Sequence, residues 1–196
     1  MDHPNWHGKR FYSFDSYIKE HFGKKLYKVS LDAGCTCPNR DGTLGFGGCT
    51  FCSAEGSGDF ASSSHQSITE QIEEGITLIA KKAETDQYIA YFQAFTSTYG
   101  PVERLRSMFL EAAHHPKIAA ISIGTRPDCL PNEMLSLFEE IMSIKPLFIE
   151  LGLQTIHEET ARHFHRGYEL DVFEDAVHAL FNRQIPIVVH LILGLP

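Results

Sequence analysis

The chain has no apolar run near the ~20 residues that a membrane-spanning helix needs. Its opening, Met1-Asp2-His3-Pro4-Asn5-Trp6, has neither the charged nor the apolar region of a secretory signal. Together these absences predict a cytoplasmic protein with no membrane partner. Positive charge is scarce too, with 17 Lys and Arg against 25 Asp and Glu and a formal net charge of -8. A protein built only to hold nucleic acid would be more basic, so any RNA contact is local or supplied by sequence outside this chain. Residues 1–28 form a modestly basic front end, with six Lys/Arg against three acids. No Gly-x-Gly-x-x-Gly follows the first apolar strand, which argues against a dinucleotide-binding doubly wound sheet.

What is present is an ordinary globular composition, 43% apolar and 21% charged over 196 residues, enough for one sizeable core. Strand-like and helix-like segments alternate. A short helix is predicted over Phe14 to Phe22 and a first strand over Leu26 to Leu31. Ser67 and Glu70 are spaced as a capping box for a helix carrying Ile68, Ile72, Ile76 and Ile79 on one face. A strand over Tyr88 to Phe95 follows, then a helix opened by Pro101 with Val102, Leu105 and Phe109 inward, then a strand over Ile118 to Ile123. Leu135, Phe138 and Ile141 mark the next helix before a strand over Leu147 to Leu153. Asp171 with Glu174 is read as the cap of a helix bearing Phe173, Val177 and Leu180, and Ile185 to Leu193 is the fifth strand. Apolar strands separated by amphipathic helices pair in parallel through right-handed crossovers, so the fold is α/β. The regular spacing fits a barrel or partial barrel, whose chemistry sits at the carboxyl ends of its strands.

Cysteine is sparse but concentrated: four of the five fall within eighteen residues, Cys35 to Cys52, directly after the first strand. In a reducing compartment, a Cys-x-x-Cys closing a Gly-rich loop suits soft-metal ligation better than disulfides. Two readings stand on these residues alone. One is an iron-sulfur cluster; the other is a closed tetrahedral zinc on Cys35, Cys37, Cys49 and Cys52, which would make the protein an RNA-binding or scaffold module without catalysis.

The strand followed by Cys37-Pro-Asn-Arg-Asp-Gly-Thr43 and Gly47-Gly-Cys-Thr-Phe-Cys52 resembles the radical S-adenosylmethionine (SAM) superfamily, specifically its YtqA/YhcC subfamily. The likeness continues through Tyr91 to Tyr99, Ile123-Gly-Thr-Arg-Pro-Asp128, Glu150-Leu-Gly-Leu-Gln-Thr155, Arg166-Gly167 and His190-Leu-Ile-Leu-Gly-Leu-Pro196. It implies a partial (β/α)6 TIM-like barrel with five strands present, residues 1–24 as an amino-terminal extension and 25–196 as a core domain incomplete at its carboxyl end. The apolar strand at the end of the chain, with no helix after it, carries the same expectation of a fragment.

The resemblance also implies a cofactor and a chemistry. Cys37, Cys49 and Cys52 match the family's three ligands to a 4Fe-4S cluster whose open iron is chelated by SAM, and Cys35 falls where no ligand is needed. Reductive cleavage of SAM then yields a 5'-deoxyadenosyl radical that abstracts hydrogen from substrate. Glycines 42, 45, 47 and 48 are expected to bring backbone N–H groups to the cluster sulfides. Glu150, at the end of the fourth strand, is expected to meet the ribose of SAM, with Gln154 close by. Arg166, after a short helix, either pairs with the SAM carboxylate or forms a surface salt bridge. Where many families carry Gly-Gly-Glu-Pro on the second strand this chain has Gln93-Ala-Phe-Thr-Ser97, so Gln93, Thr96, Ser97 or backbone carbonyls inherit the SAM amino group.

Arg126 and Asp128 are read as binding substrate or bridging loops, and Cys129 as a buried thiol. His114 and His115 end a helix where a cation favours the dipole. His157, His163 and His165 are read as surface residues and His190 as facing the barrel interior, as a satisfied core histidine rather than a catalytic one. The YtqA branch implies modification of the tRNA wobble-uridine side chain, with flavodoxin or ferredoxin as electron donor and a separate downstream methyltransferase. Asp59-Phe60 and the basic amino terminus fit RNA access.

Overall fold

The structure is a computed structural model that describes residue 6, residues 8–54, residue 56 and residues 64–195. Asp59 and Phe60 lie outside these residues. The elements run α1 Phe14–Phe22, β1 Tyr27–Leu31, α2 Ile68–Ala80, β2 Tyr88–Phe92, α3 Val102–His114, β3 Ile118–Thr125, a 3-10 turn Pro127–Cys129, α4 Asn132–Met142, β4 Leu147–Gln154, α5 Glu158–His163, α6 Leu170–Asn182 and β5 Ile187–Leu191. The five strands are parallel and hydrogen-bonded in chain order β1-β2-β3-β4-β5. An order that never reverses is the winding of a (β/α) barrel, and the sheet is a partial, TIM-like one.

Local chemistry explains most boundaries. Ser13 caps α1 by accepting from the Ser16 N–H, and Gly23 ends it in the left-handed region. Ser67 and Glu70 form the predicted capping box. The predicted Asp171 cap is not formed: α6 starts two residues earlier, at Leu170 after Glu169, and Asp171 accepts from the adjacent Val172 N–H, at 2.8 Å. β2 stops at Phe92 rather than Phe95, because Phe95 turns to a φ of 56° and donates its N–H to the Gly56 carbonyl. β5 begins at Ile187 rather than Ile185, whose N–H is held by Leu180 in the turn that ends α6.

Side chains alternate across the strands, so the sheet has two faces with different tasks. The outer face, with Val29, Leu31, Ala90, Phe92, Ile121, Ile123, Ile149 and Leu151, packs on Leu105, Phe109, Phe138 and Leu180 of the helices. On the inner face, near the amino ends of the strands, Leu26, Ile89, Ala120 and Phe148 pack on Ile18 of α1. Phe14 and Tyr17 meet Phe148 edge-on at 5.6 and 5.9 Å. The first helix therefore closes one end of the barrel interior. β5 leaves Val189 and Leu191 exposed on the outer face. Among the described residues no helix is long and apolar enough to cross a membrane.

Candidate active site

Two residues further along each strand, the inner face changes from apolar to polar. Lys28, Tyr91, Ser122, Glu150 and His190 stand above Leu26, Ile89, Ala120, Phe148 and Val188. Glu150 is the hub, 3% exposed. One carboxylate oxygen accepts from the Lys28 ammonium and the Ser122 hydroxyl, and the other lies 2.7 Å from His190 Nε2. Lys28 also lies 3.8 Å from the centre of the Tyr91 ring. Burial opposes ionisation of Glu150, but the bonds from His190, Lys28 and Ser122 outweigh it and hold the carboxyl down at about 2. Burial and the neighbouring Glu150 push the Tyr91 phenol up.

The cysteine loop spans from the β1 edge of the sheet to the segment after α5. Cys37 starts a tight turn, its carbonyl accepting from the Arg40 and Asp41 N–H groups, and Cys49 accepts from the Cys52 N–H. Asn39, 5% exposed, donates to the carbonyls of His165 at 2.7 Å and Arg166 at 3.1 Å and to Cys49 Sγ at 3.4 Å. Thr50 N–H reaches the Phe164 carbonyl, and Phe51 packs against the Phe164 ring at 5.2 Å. The expected role of the glycines is corrected here. The N–H groups of Gly42, Gly45 and Gly48 bond to the carbonyls of Gly45, Pro38 and Asn39, so they fold the loop rather than point at a ligand. Gly48 sits at a φ of 81°, and a Cβ there would come within 2.8 Å of Arg40 Nε.

Loop and barrel enclose a cavity of about 200 Å³ at the carboxyl ends of the strands. Cys37, Cys49 and Cys52 line it, together with Gln93, Thr96, Glu150, Gln154 and Arg166. Accepting a hydrogen bond from Cys49 draws the Cys52 thiol down to about 7, and the same bond, with burial, pushes Cys49 up. Cys35 is elsewhere: its thiol is buried against the Ser97 carbonyl at 3.7 Å and Arg104 Nη2 at 3.6 Å. The four-cysteine zinc arrangement is thus not assembled. Among the described residues, no three His, Cys, Asp or Glu side chains converge as ligands of a single ion. Three soft thiols spread around one cavity instead fit a group with several metal atoms, such as an iron-sulfur cluster.

Several expectations change in the folded chain. Glu150 lies mid-strand in β4, not at its end, and its oxygens are occupied. Arg166 is neither a surface salt bridge nor free for a ligand, since it is 1% exposed. It donates to the carbonyls of Tyr168, Leu153 and Thr155 and pairs with Glu158 at 2.7 Å. Ser97 is fully buried, donates to the Ala94 carbonyl and does not line the cavity. His190 is no core residue, because its side chain is 47% exposed and lines the cavity. Arg126 forks onto Asp128 at 2.9 and 2.7 Å and donates to the Arg166 carbonyl, tying the end of β3 to the turn after α5. Cys129 is buried as expected, its thiol pushed up to about 12 by burial and Asp128. His157, His163 and His165 are exposed, and buried His115 sits 3.3 Å from Glu73.

Gln154 has a left-handed φ of 61° where the β4–β5 register shifts. Its amide lies over Gly152, where a Cβ would be 2.4 Å from Gln154 Nε2. Sequence reasoning missed Lys28, Asn39 and Tyr168. Tyr168 donates to the Gly152 carbonyl and has the Arg126 and Arg166 guanidinium groups over its ring, at 5.1 and 4.6 Å. A signal existed for Lys28: it, Glu150 and His190 are charged or titratable residues at inward positions of apolar strands.

A partial parallel barrel with a three-cysteine loop over the carboxyl ends of its strands defines a class of cofactor-dependent enzymes. Residues 37–196 match the Radical SAM superfamily, and the chain belongs to it. It is 44% identical over 188 residues to the YtqA protein of Bacillus subtilis (strain 168), covering 96% of this chain and 58% of that protein. It is 39% identical over 184 residues to the YhcC protein of Escherichia coli (strain K12), covering 93% and 58%. The chain thus spans 58% of the length of these relatives. Among solved structures it is similar in fold to the archaeal Methanocaldococcus infernus Elp3 with an N-terminus deletion. That match has a TM-score of 0.56 at 17% identity, covering 87% of this chain and 38% of that one.

Proposed function

We propose that Cys37, Cys49 and Cys52 hold a 4Fe-4S cluster, that SAM binds beside it in the barrel cavity, and that the substrate is the wobble-uridine side chain of tRNA. The observation that carries the cofactor reading is the sorting of the cysteines. Three thiols line one cavity at the carboxyl ends of the strands, while Cys35 and Cys129 are buried outside it. When bound and reduced, the cluster would supply the electron that cleaves SAM to a 5'-deoxyadenosyl radical. The protein's own contribution is to hold three soft ligands and surround the reacting atoms with a shaped wall.

Gln93, Thr96 and Gln154 are the polar groups proposed to contact SAM. Glu150 and Arg166 in the wall, and Ser97 behind it, hold the cavity's shape rather than contact SAM, since their polar atoms are already engaged. The tRNA reading rests on the motif resemblance to the YtqA branch and on the basic residues near the amino terminus. It carries with it a cytoplasmic location, a flavodoxin or ferredoxin donor and a downstream methyltransferase.

The test is anaerobic reconstitution of the parent and of single Cys→Ala variants at all five positions, with iron and sulfide counted. Loss of iron at 37, 49 and 52 and its retention at 35 and 129 is expected. Retention in C37A with loss in C35A would overturn the ligand set. Nucleoside profiling of tRNA from a deletion strain tests the substrate: an unchanged wobble-uridine profile removes it.

A further inference from the structure

Glu150 and His190 stand in an order opposite to the one the sequence suggests: the acid is behind and the imidazole in front. The Glu150 carboxylate accepts from Lys28 and Ser122, and its other oxygen lies 2.7 Å from His190 Nε2. A carboxylate offers about four lone-pair sites, so little capacity remains for a ligand. His190 is bound only through Nε2, at 2.7 Å from Glu150, and its half-exposed ring lines the cavity. An ionised carboxylate only accepts, so Nε2 carries the hydrogen and Nδ1 is left with a free lone pair. Among the described residues Nδ1 has no partner. The geometry is that of a carboxylate–imidazole dyad, in which the buried acid sets the tautomer and stabilises the imidazolium that forms.

Resting on the radical SAM reading above, we propose that His190 is a general base for the substrate step, with Glu150 as its positioning residue and Lys28 and Ser122 holding Glu150. The substrate class is a molecule carrying an O–H or N–H donor beside its reacting carbon. That bond breaks heterolytically, the electron pair stays on the substrate heteroatom, and the proton goes to Nδ1. The resulting imidazolium is balanced by Glu150 and passes the proton to water at its exposed edge. The ionisable groups around this cavity are Lys28 from β1, Tyr91 from β2, Arg126 beyond β3, Glu150 from β4, Arg166 and Tyr168 after α5, and Arg40, Cys37, Cys49 and Cys52 from the loop.

Two readouts test this, and the first needs no cofactor. Nitrogen-15 NMR of the protein without cluster should show His190 as the Nε2–H tautomer at neutral pH. E150Q should raise the Nδ1–H fraction, because a glutamine amide can donate to Nε2. Nδ1–H as the main tautomer of the parent overturns the dyad. The second readout uses reconstituted protein with bulk tRNA from a deletion strain as the probe. H190Q alters a half-exposed side chain rather than the core, and it should lower tRNA-dependent turnover roughly 10²- to 10⁴-fold. Turnover equal to the parent's would overturn the proposal. A parent that binds no cluster or leaves tRNA unchanged counts against the cofactor or substrate reading, and the tautomer still decides the dyad.

Discussion

Replacing Glu150 by glutamine should reveal how strongly the barrel's polar layer is held. The carboxyl is 3% exposed and sits at about 2 against an ordinary value of 4.5, a difference worth about 3 kcal/mol. Removing one partner of a buried ion pair typically costs about 3–5 kcal/mol. Lys28, about one-third exposed, can regain water, which places the variant at the lower end. Both routes give a loss of about 3 kcal/mol at pH 7, or roughly 6–12 °C in Tm for a chain of this size. Because the folded-state value is depressed, the carboxylate's contribution is complete above about pH 5 and is lost as pH falls toward 2. By pH 3 about 2 kcal/mol of it should be gone. Denaturant melts of parent and E150Q at pH 7 and pH 3 measure this directly. Equal stability at pH 7, or a gap that widens toward acid, would refute the electrostatic account.

Arg166→Met should cost about 3 kcal/mol, since it strips the Tyr168, Leu153 and Thr155 carbonyls and the Glu158 carboxylate of their shared partner. Thermal unfolding checks this, and hydrogen exchange should show faster opening of the cysteine loop that docks on this segment; an unchanged Tm would refute it. Gly75→Ala should destabilise by about 1 kcal/mol. A Cβ there meets Val29 Cγ1 at 2.5 Å, and that overlap exceeds the ~1 kcal/mol that alanine adds to helix propensity. Pairing it with Val29→Ala should show favourable coupling in a double-mutant cycle, and additivity would sink the argument.

The cysteine spacing, the strand–helix alternation and the parallel class were all legible in the chain, because each rests on residues close in sequence. The capping box at Ser67 and the α1 boundaries came out as read, since capping is decided within one turn. For the cysteine loop and the polar layer, the deciding partner lay far along the chain. Cys35 and Cys37 are two residues apart, yet one thiol is buried against Arg104 and the other faces the cavity, and only the path of α3 determines which. Lys28 and Glu150 are separated by 122 positions, and nothing local indicates that the carboxylate is saturated. Arg166 reads as a ligand-binding arginine until three carbonyls and Glu158 are found around it. Period and spacing determined the class of fold and the soft-ligand loop by themselves. Which polar atoms remain free to meet a ligand was decided only in three dimensions, because a hydrogen-bond partner is set by what the fold brings within about 3 Å.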